Sequence, residues 1–359
     1  MNALVCQSCD REHSLNDPIW RCTCGGILDI RFLARFGEGA ERYRHAIPIE
    51  RDENIVTYGQ GYTPVMRVPL GEGAAWVKLD SLLPTGSFKD RGAAVLVSKA
   101  RELGISRVVE DSSGNAGAAL AGHCALAGIA ADIYVPEQSV PGKLAQIRAY
   151  GATVHMVPGT REDLTRAAIV AAEQSYYASH AWNPFFLQGT KTCAYEIADQ
   201  FAGNLPHTVI VPVGNATLLL GLHIGFGDLL AAGRIDAIPK LIGVQSEICS
   251  PLATACQQGL DAPTAAASTD TVADGIRVTH PIRGRQILHT VRETNGTILA
   301  VSEDAIRRAH IDLGRRGIYV EPTSAVAWAA AAQYMTDGGS GETIVVVMTG
   351  NGLKTPATL

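Results

Sequence analysis

No apolar run in this chain approaches the roughly 18 residues that a membrane-spanning helix needs, and Met1 to Asp10 lack a basic-then-apolar leader. Charge of one sign is nowhere concentrated: the net charge is −5 and the pI about 6.1, so no basic run offers a surface to nucleic acid or an anionic membrane. The expectation is a cytoplasmic protein without nucleic-acid or membrane partners. Repeats and low-complexity linkers are also missing, which excludes lobes strung as beads. Yet 359 residues exceed the roughly 250–300 at which a single core usually divides, so two interleaved lobes are expected.

Cysteine is present but unevenly spread. Cys124, Cys193, Cys249 and Cys256 lie in apolar segments and read as small core residues. Cys6-Gln-Ser-Cys9 and Cys22-Thr-Cys24 fall close together, and Gly25-Gly26 lets the backbone turn tightly beneath them. Two such pairs can bring four thiolates round one tetrahedral zinc, a closed structural site without an open position for chemistry. A ribbon that keeps its cysteines without metal, or a redox pair, is the alternative, since the second pair is tighter than the usual C-x-x-C. Residues 1–30 hold two Arg and no Lys, too little charge for the ribbon to neutralise phosphates.

From residue 62 onward, short β-branched runs bounded by Gly or Pro (107–110, 131–135, 153–157, 208–213, 240–244 and 343–348) alternate with Ala-rich stretches of helical length at 116–127, 141–149, 162–177, 189–203, 217–232, 303–316 and 323–335. Strands without polar alternation that take turns with helices imply parallel βαβ sheets covered on both faces. The class is α/β.

In such sheets ligands gather beyond the carboxyl ends of the strands. Three strand ends are unusually small and polar. Ser112-Ser113-Gly114-Asn115 follows 107–110 and offers hydroxyls, an amide and backbone N–H groups to a carboxylate; Gly214-Asn215-Ala216-Thr217-Leu218 opens a helix where a phosphate could sit; Thr349 could meet a heterocycle nitrogen. Lys89, between the turn-formers Pro84-Thr85-Gly86-Ser87 and a helix-like run, is placed where a lysine can be kept as a free amine able to form a Schiff base with an aldehyde cofactor.

With these residues in view, the chain resembles pyridoxal-phosphate enzymes of the tryptophan synthase β fold type (fold type II), and within them the threonine synthases. The blocks that carry the resemblance are Gly61-Tyr-Thr-Pro64, Pro84-Thr-Gly-Ser-Phe-Lys-Asp-Arg-Gly92, Ser113-Gly-Asn115, Gly189-Thr-Lys-Thr192 with Tyr195-Glu-Ile197, Val211-Pro-Val-Gly-Asn-Ala216, Glu321-Pro-Thr-Ser324 and Thr349-Gly-Asn-Gly-Leu-Lys354. The resemblance implies that Lys89 carries pyridoxal 5'-phosphate and, once freed, takes the Cα proton of an amino-acid substrate. It also implies that Asn115 contacts the cofactor's 3′ oxygen, that Gly214, Asn215, Ala216, Thr217 and Leu218 hold its phosphate, and that Thr349 faces its ring nitrogen. Ser112, Ser113 and Asn115 would bind the substrate carboxylate. The implied organisation is a ribbon-like segment over 1–35, a large cofactor-binding lobe from 36–104 and 188–359, and a small lobe over 105–187 that closes on substrate, in a homodimer.

The chain departs from the threonine synthases where those enzymes grasp the substrate phosphate. Where the family reads roughly Asn-Ser-x-Asn-Pro-x-Arg, this chain has His180, Ala181 and Phe186, and a Thr expected after Asn115 is Ala116. Burying a phosphate dianion against Phe and Ala is strongly unfavourable. The expectation is therefore β-elimination or β-replacement on an amino acid whose side chain is not phosphorylated, with Ala116, Ala181 and Phe186 lining its far end. The alternative is a threonine synthase acting on O-phosphohomoserine. A non-catalytic relative or a ribbon-based binding module is the other class, and the presence of Lys89 and the cofactor loops argues against it.

Overall fold

The computed structural model describes residues 2–39, 42–139, 141–265, 270–339 and 341–355, with the side chains of 141–143 left aside. The chain divides into two compact units, residues 1–60 with 89–192 and residues 61–88 with 193–359.

In the first unit, strands Glu12–His13, Ala3–Cys6 and Leu28–Arg31 form a small antiparallel sheet. The second sheet is wholly parallel and runs Thr153–Val157, Ala130–Pro136, Arg107–Glu110, Tyr176–Tyr177. Helices Lys89–Glu102, Asn115–Ala127, Pro141–Ala149, Arg161–Ala171 and Pro184–Thr190 surround it. Val108, Ile133, Val135, Ala119, Leu120, Leu96 and Phe185 share one buried core. Helix Lys89–Glu102 packs against both Asn115–Ala127 and Pro184–Thr190. A Cβ added at Gly189 would collide with the Arg91 carbonyl oxygen, so only glycine permits that helix crossing.

The second unit holds a six-stranded sheet in the order Thr297–Val301, Lys240–Ser246, Thr208–Pro212, Ile344–Val347, Gly73–Lys78, Val65–Leu70. All pairs are parallel except the closing hairpin of Val65–Leu70 on Gly73–Lys78. Strand Ile344–Val347 is buried at every position, as a central parallel strand covered on both faces must be.

The α/β class holds, and each of the six apolar runs contains a strand. The expected helix 162–177 stops at Ala171; a 3-10 turn Ala172–Gln174 follows, and Tyr176–Tyr177 joins the sheet edge. Its start is fixed by a capping box in which Thr160 and Asp163 bond each other's backbone N–H. The 189–203 stretch is two helices, Pro184–Thr190 and Thr192–Gln200. Cys124, Cys193 and Cys249 are buried, and Cys256 is half-buried. No helix among the described residues is long and apolar enough to cross a membrane.

Candidate active site

In the first unit, strand Arg107–Glu110 ends at the parallel sheet's carboxyl edge, and the chain turns through Ser112, Ser113 and Gly114 into helix Asn115–Ala127. Gly114 caps that helix without any side-chain bond, so its first N–H groups remain directed at the turn. Gly117 sits hard against the Ser112 carbonyl, where a Cβ would clash. Ser112, Ser113 and Asn115 line this turn, and Ala116 behind them is buried.

The neighbouring edge strand Tyr176–Tyr177 runs parallel to Arg107–Glu110, which carries His180 to the same edge. The Glu110 carboxylate accepts from His180 twice, from Nδ1 at 2.7 Å and from the backbone N–H at 3.1 Å. Burial pushes Glu110 up to about 8, against the opposing pull of the His180 N–H, Arg161 and Lys89. Burial and then the Lys89 charge hold His180 well below its usual value, so the ring is neutral. Asp111, also buried, accepts from Arg161 (2.7 Å), Thr165 (2.9 Å) and the Tyr177 hydroxyl (2.8 Å).

Lys89 opens helix Lys89–Glu102. Its residue surface is only half-buried, but the nitrogen is desolvated, which pushes the ammonium down to about 8 while Glu110 draws it back up. Phe186 lies 5.6 Å from the Lys89 Nζ, measured to the ring centroid, and meets the His180 ring edge-on at 5.9 Å. The phenyl ring rests on Gly92, one turn along the lysine's helix. Asn183 caps helix Pro184–Thr190 by accepting from Phe185 N–H, with Pro184 at its first position; this cap sets where Phe186 points.

In the second unit, strands Thr208–Pro212 and Ile344–Val347 are parallel neighbours, so the turns after them share one edge. Gly214-Asn215-Ala216 leads into helix Thr217–Ala231, whose N-cap Ala216 is left-handed (φ 53°) and lacks a side-chain cap. A non-glycine residue at positive φ stores strain, and an uncapped helix start with its dipole is an anion site. The Asn215 amide oxygen is buried without a partner among the described residues. On the adjacent turn, buried Thr349 pairs with Ser324, Oγ1 to Oγ at 3.0 Å, and its carbonyl accepts from Phe88 N–H at 2.9 Å.

Within the first unit, then, Lys89 and Phe186 come together, with Ser112, Ser113, Asn115 and Ala116 on one turn and Ala181 beside His180; within the second, Gly214 to Leu218 and Thr349 share an edge. No role for Glu110 or for the Ser324 hydroxyl follows from the sequence. The one signal for Glu110 is an acidic pair, Glu110-Asp111, where strand Arg107–Glu110 gives way to the turn.

The sulfurs of Cys6, Cys9, Cys22 and Cys24 lie within 4.8 Å of one another, with Cys6–Cys24 at 3.5 Å and Cys9–Cys22 at 3.8 Å. A tetrahedral zinc with bonds of about 2.3 Å spaces its sulfurs by ~3.8 Å. The Cys24 backbone N–H and then the His13 ring, 3.4 Å from Cys22 Sγ, hold the Cys22 thiol down at about 5. These four thiols suit a structural metal.

A family model described as pyridoxal-phosphate dependent enzyme matches residues 56–350. The chain belongs to that family. Threonine synthase of Methanosarcina acetivorans is 35% identical over 100% of this chain and 94% of its own length. That of Methanocaldococcus jannaschii is also 35% identical, over 98% and 92%. Among solved structures, a threonine deaminase from T.th. superimposes with TM-score 0.68 and 27% identity over 81% of this chain and 92% of that one. The protein is thus a pyridoxal-phosphate-dependent enzyme with the fold of type II, and its amino-acid chemistry is that of a lyase or synthase. The uncapped, strained turn at Ala216, opening helix Thr217–Ala231, suits the phosphate of that cofactor.

Proposed function

We propose that this enzyme catalyses β-elimination or β-replacement on an L-amino acid whose side chain is not phosphorylated. The observation that carries this reading is the ring beside Lys89: a buried Phe186 phenyl on Gly92, 5.6 Å from the Lys89 nitrogen, edge-on to a neutral His180 that is bonded to a buried carboxyl and followed by a buried Ala181. A phosphate dianion needs paired cations and donors when removed from water, and Arg161 is already bonded to Asp111. Lys89 holds the cofactor and, released by substrate, removes the Cα proton. Asn115 meets the 3′ oxygen; Ser112, Ser113 and the helix N–H groups after Gly114 orient the substrate carboxylate. Gly214, Asn215, Ala216, Thr217 and Leu218 hold the cofactor phosphate. Ser324 Oγ accepts from the N–H of Thr349 and of Gly350, so both lone pairs are filled and its hydrogen is left for Thr349 Oγ1 at 3.0 Å or the Gly350 carbonyl at 3.4 Å. The Thr349 hydroxyl hydrogen is thereby directed to another acceptor, the ring nitrogen. The cofactor supplies an electron sink for the Cα carbanion. A structural zinc on Cys6, Cys9, Cys22 and Cys24 completes the reading.

A second reading, threonine synthase, is favoured by the relatives at 35% identity across the whole chain, which support it more directly than they support the first. The two separate in one assay: phosphate release from O-phosphohomoserine beside keto-acid and ammonia release from serine, threonine and other β-substituted amino acids. Rapid phosphate release with the others inert would decide for threonine synthase.

A further inference from the structure

The buried carboxyl of Glu110 binds neither cofactor nor substrate in the roles above, yet, when ionised, it raises the proton affinity of Lys89 against the effect of burial. The groups that act on it are His180, Arg161 and Lys89. His180, beyond the edge strand, donates to both carboxylate oxygens. Lys89 comes from the helix start and Arg161 from helix Arg161–Ala171; Asp111 follows Glu110 in the chain and is bonded to Tyr177. The paired donation from one residue fixes the carboxylate in place, because rotating it would break both bonds. His180 is in turn fixed edge-on against the Phe186 ring, the same ring that lies 5.6 Å from Lys89 Nζ.

We propose that Glu110, clamped by His180, is a positioning residue for Lys89, setting how readily the Lys89 nitrogen keeps or gives up its proton. This inference rests on the assignment of Lys89 above. An anion held near a nitrogen favours its protonated form: burial lowers Lys89, and Glu110 opposes that by raising it. A lysine that must take a proton from substrate and return it benefits from such a neighbour. His180 matters because its two N–H donors favour the ionised carboxylate; losing them would neutralise Glu110 and remove its field.

The test is a pH titration of the visible absorption of the holoenzyme. Borohydride reduction and peptide mapping first identify the cofactor-bearing lysine; a residue other than Lys89 would sink the assignment itself and be recognised as such. With Lys89 confirmed, Glu110→Gln is expected to lower the apparent pKa of the cofactor-linked nitrogen by about one unit or more, the size of one nearby opposite charge. Glu110→Asp should keep the shift small, and His180→Gln should move it in the same direction as Glu110→Gln but less. Titrations of wild type and Glu110→Gln that superimpose, flat or sloped, overturn the proposal. Should Glu110→Gln fail to fold or load cofactor, Glu110→Asp and His180→Gln decide in its place, and curves for both that coincide with wild type overturn it equally.

Discussion

Ser324 Oγ lies 3.0 Å from Thr349 Oγ1 while accepting from the N–H groups of Thr349 (2.9 Å) and Gly350 (3.0 Å), all of it buried. Replacing this serine by alanine leaves two buried N–H groups unpaired and removes the hydroxyl that pairs with that of Thr349. Each stranded buried donor costs about 1–3 kcal/mol, so Ser324→Ala should lower the urea midpoint of the holoenzyme and weaken retention of cofactor on dialysis. An unchanged midpoint would show that the pair carries no stability.

A buried ion pair explains two of the sequence blocks as architecture. Lys78 Nζ and Glu196 Oε2 are 2.7 Å apart at 0% and 3% side-chain exposure, and both also bond the backbone of Thr63, Glu196 accepting its N–H and Lys78 donating to its carbonyl. Removing one partner strands a buried charge, which costs about 3–5 kcal/mol. Glu196→Ala should therefore unfold far earlier in urea, and Lys78→Met combined with Glu196→Leu should recover part of the loss. A double variant no better than the single would mean that the Thr63 contacts, rather than the stranded lysine, dominate.

The cysteine cluster predicts about one zinc per chain by elemental analysis. Chelation, or Cys22→Ser, should release it and destabilise the antiparallel sheet of Ala3–Cys6 and its partners while leaving the visible spectrum of bound cofactor intact. Metal-free protein of undiminished stability would identify the cluster as a ribbon that folds without metal.

His123 is buried, its Nδ1 bonds the Ala119 carbonyl at 2.9 Å, and its Nε2 has no hydrogen-bond partner among the described residues. Burial holds it below its usual value of 6.5, with Asp90 opposing. The folded state thus takes up a proton less readily than the unfolded chain, so this residue's contribution is present above pH 6.5 and is lost as pH falls below it. Thermal melts of wild type and His123→Gln from about pH 7.5 to about pH 5 should show a shallower acid-side decline in the variant. Parallel curves would exclude His123 as a source of that decline.

The parallel strands were legible because burial on both faces leaves an unbroken apolar run, as in Thr208–Pro212 and Ile344–Val347. The Val65–Leu70 and Gly73–Lys78 hairpin was not, because an exposed edge keeps Arg67, Glu72 and Gly73 in its sequence. Tyr176–Tyr177 was absorbed into the preceding helix since two residues show no period. At the site, the turns at Ser112, Gly214 and Thr349 could be read from strand-to-helix polarity. The Glu110–His180 bond joins residues 70 apart in sequence, and only the parallel pairing of their strands brings them together.

The specificity reading turns on Phe186, and a designed change in both directions tests it. Phe186→Arg alone places a second cation near Lys89 in a desolvated position against Gly92; it should cost several kcal/mol of stability and, by like-charge repulsion, lower the proton affinity of Lys89. It should not create phosphate release from O-phosphohomoserine, because Ala116 and Ala181 still offer no hydroxyl. Combining Ala116→Thr, Ala181→Ser and Phe186→Arg supplies the full set, and each charge-assisted contact is worth about 1.5–3 kcal/mol, or roughly ten- to a hundredfold. The combined variant should therefore release phosphate at least about tenfold faster than wild type while losing turnover of unphosphorylated substrates. Wild-type enzyme that already releases phosphate rapidly, and is not improved by the three changes, would show that these positions do not choose the substrate.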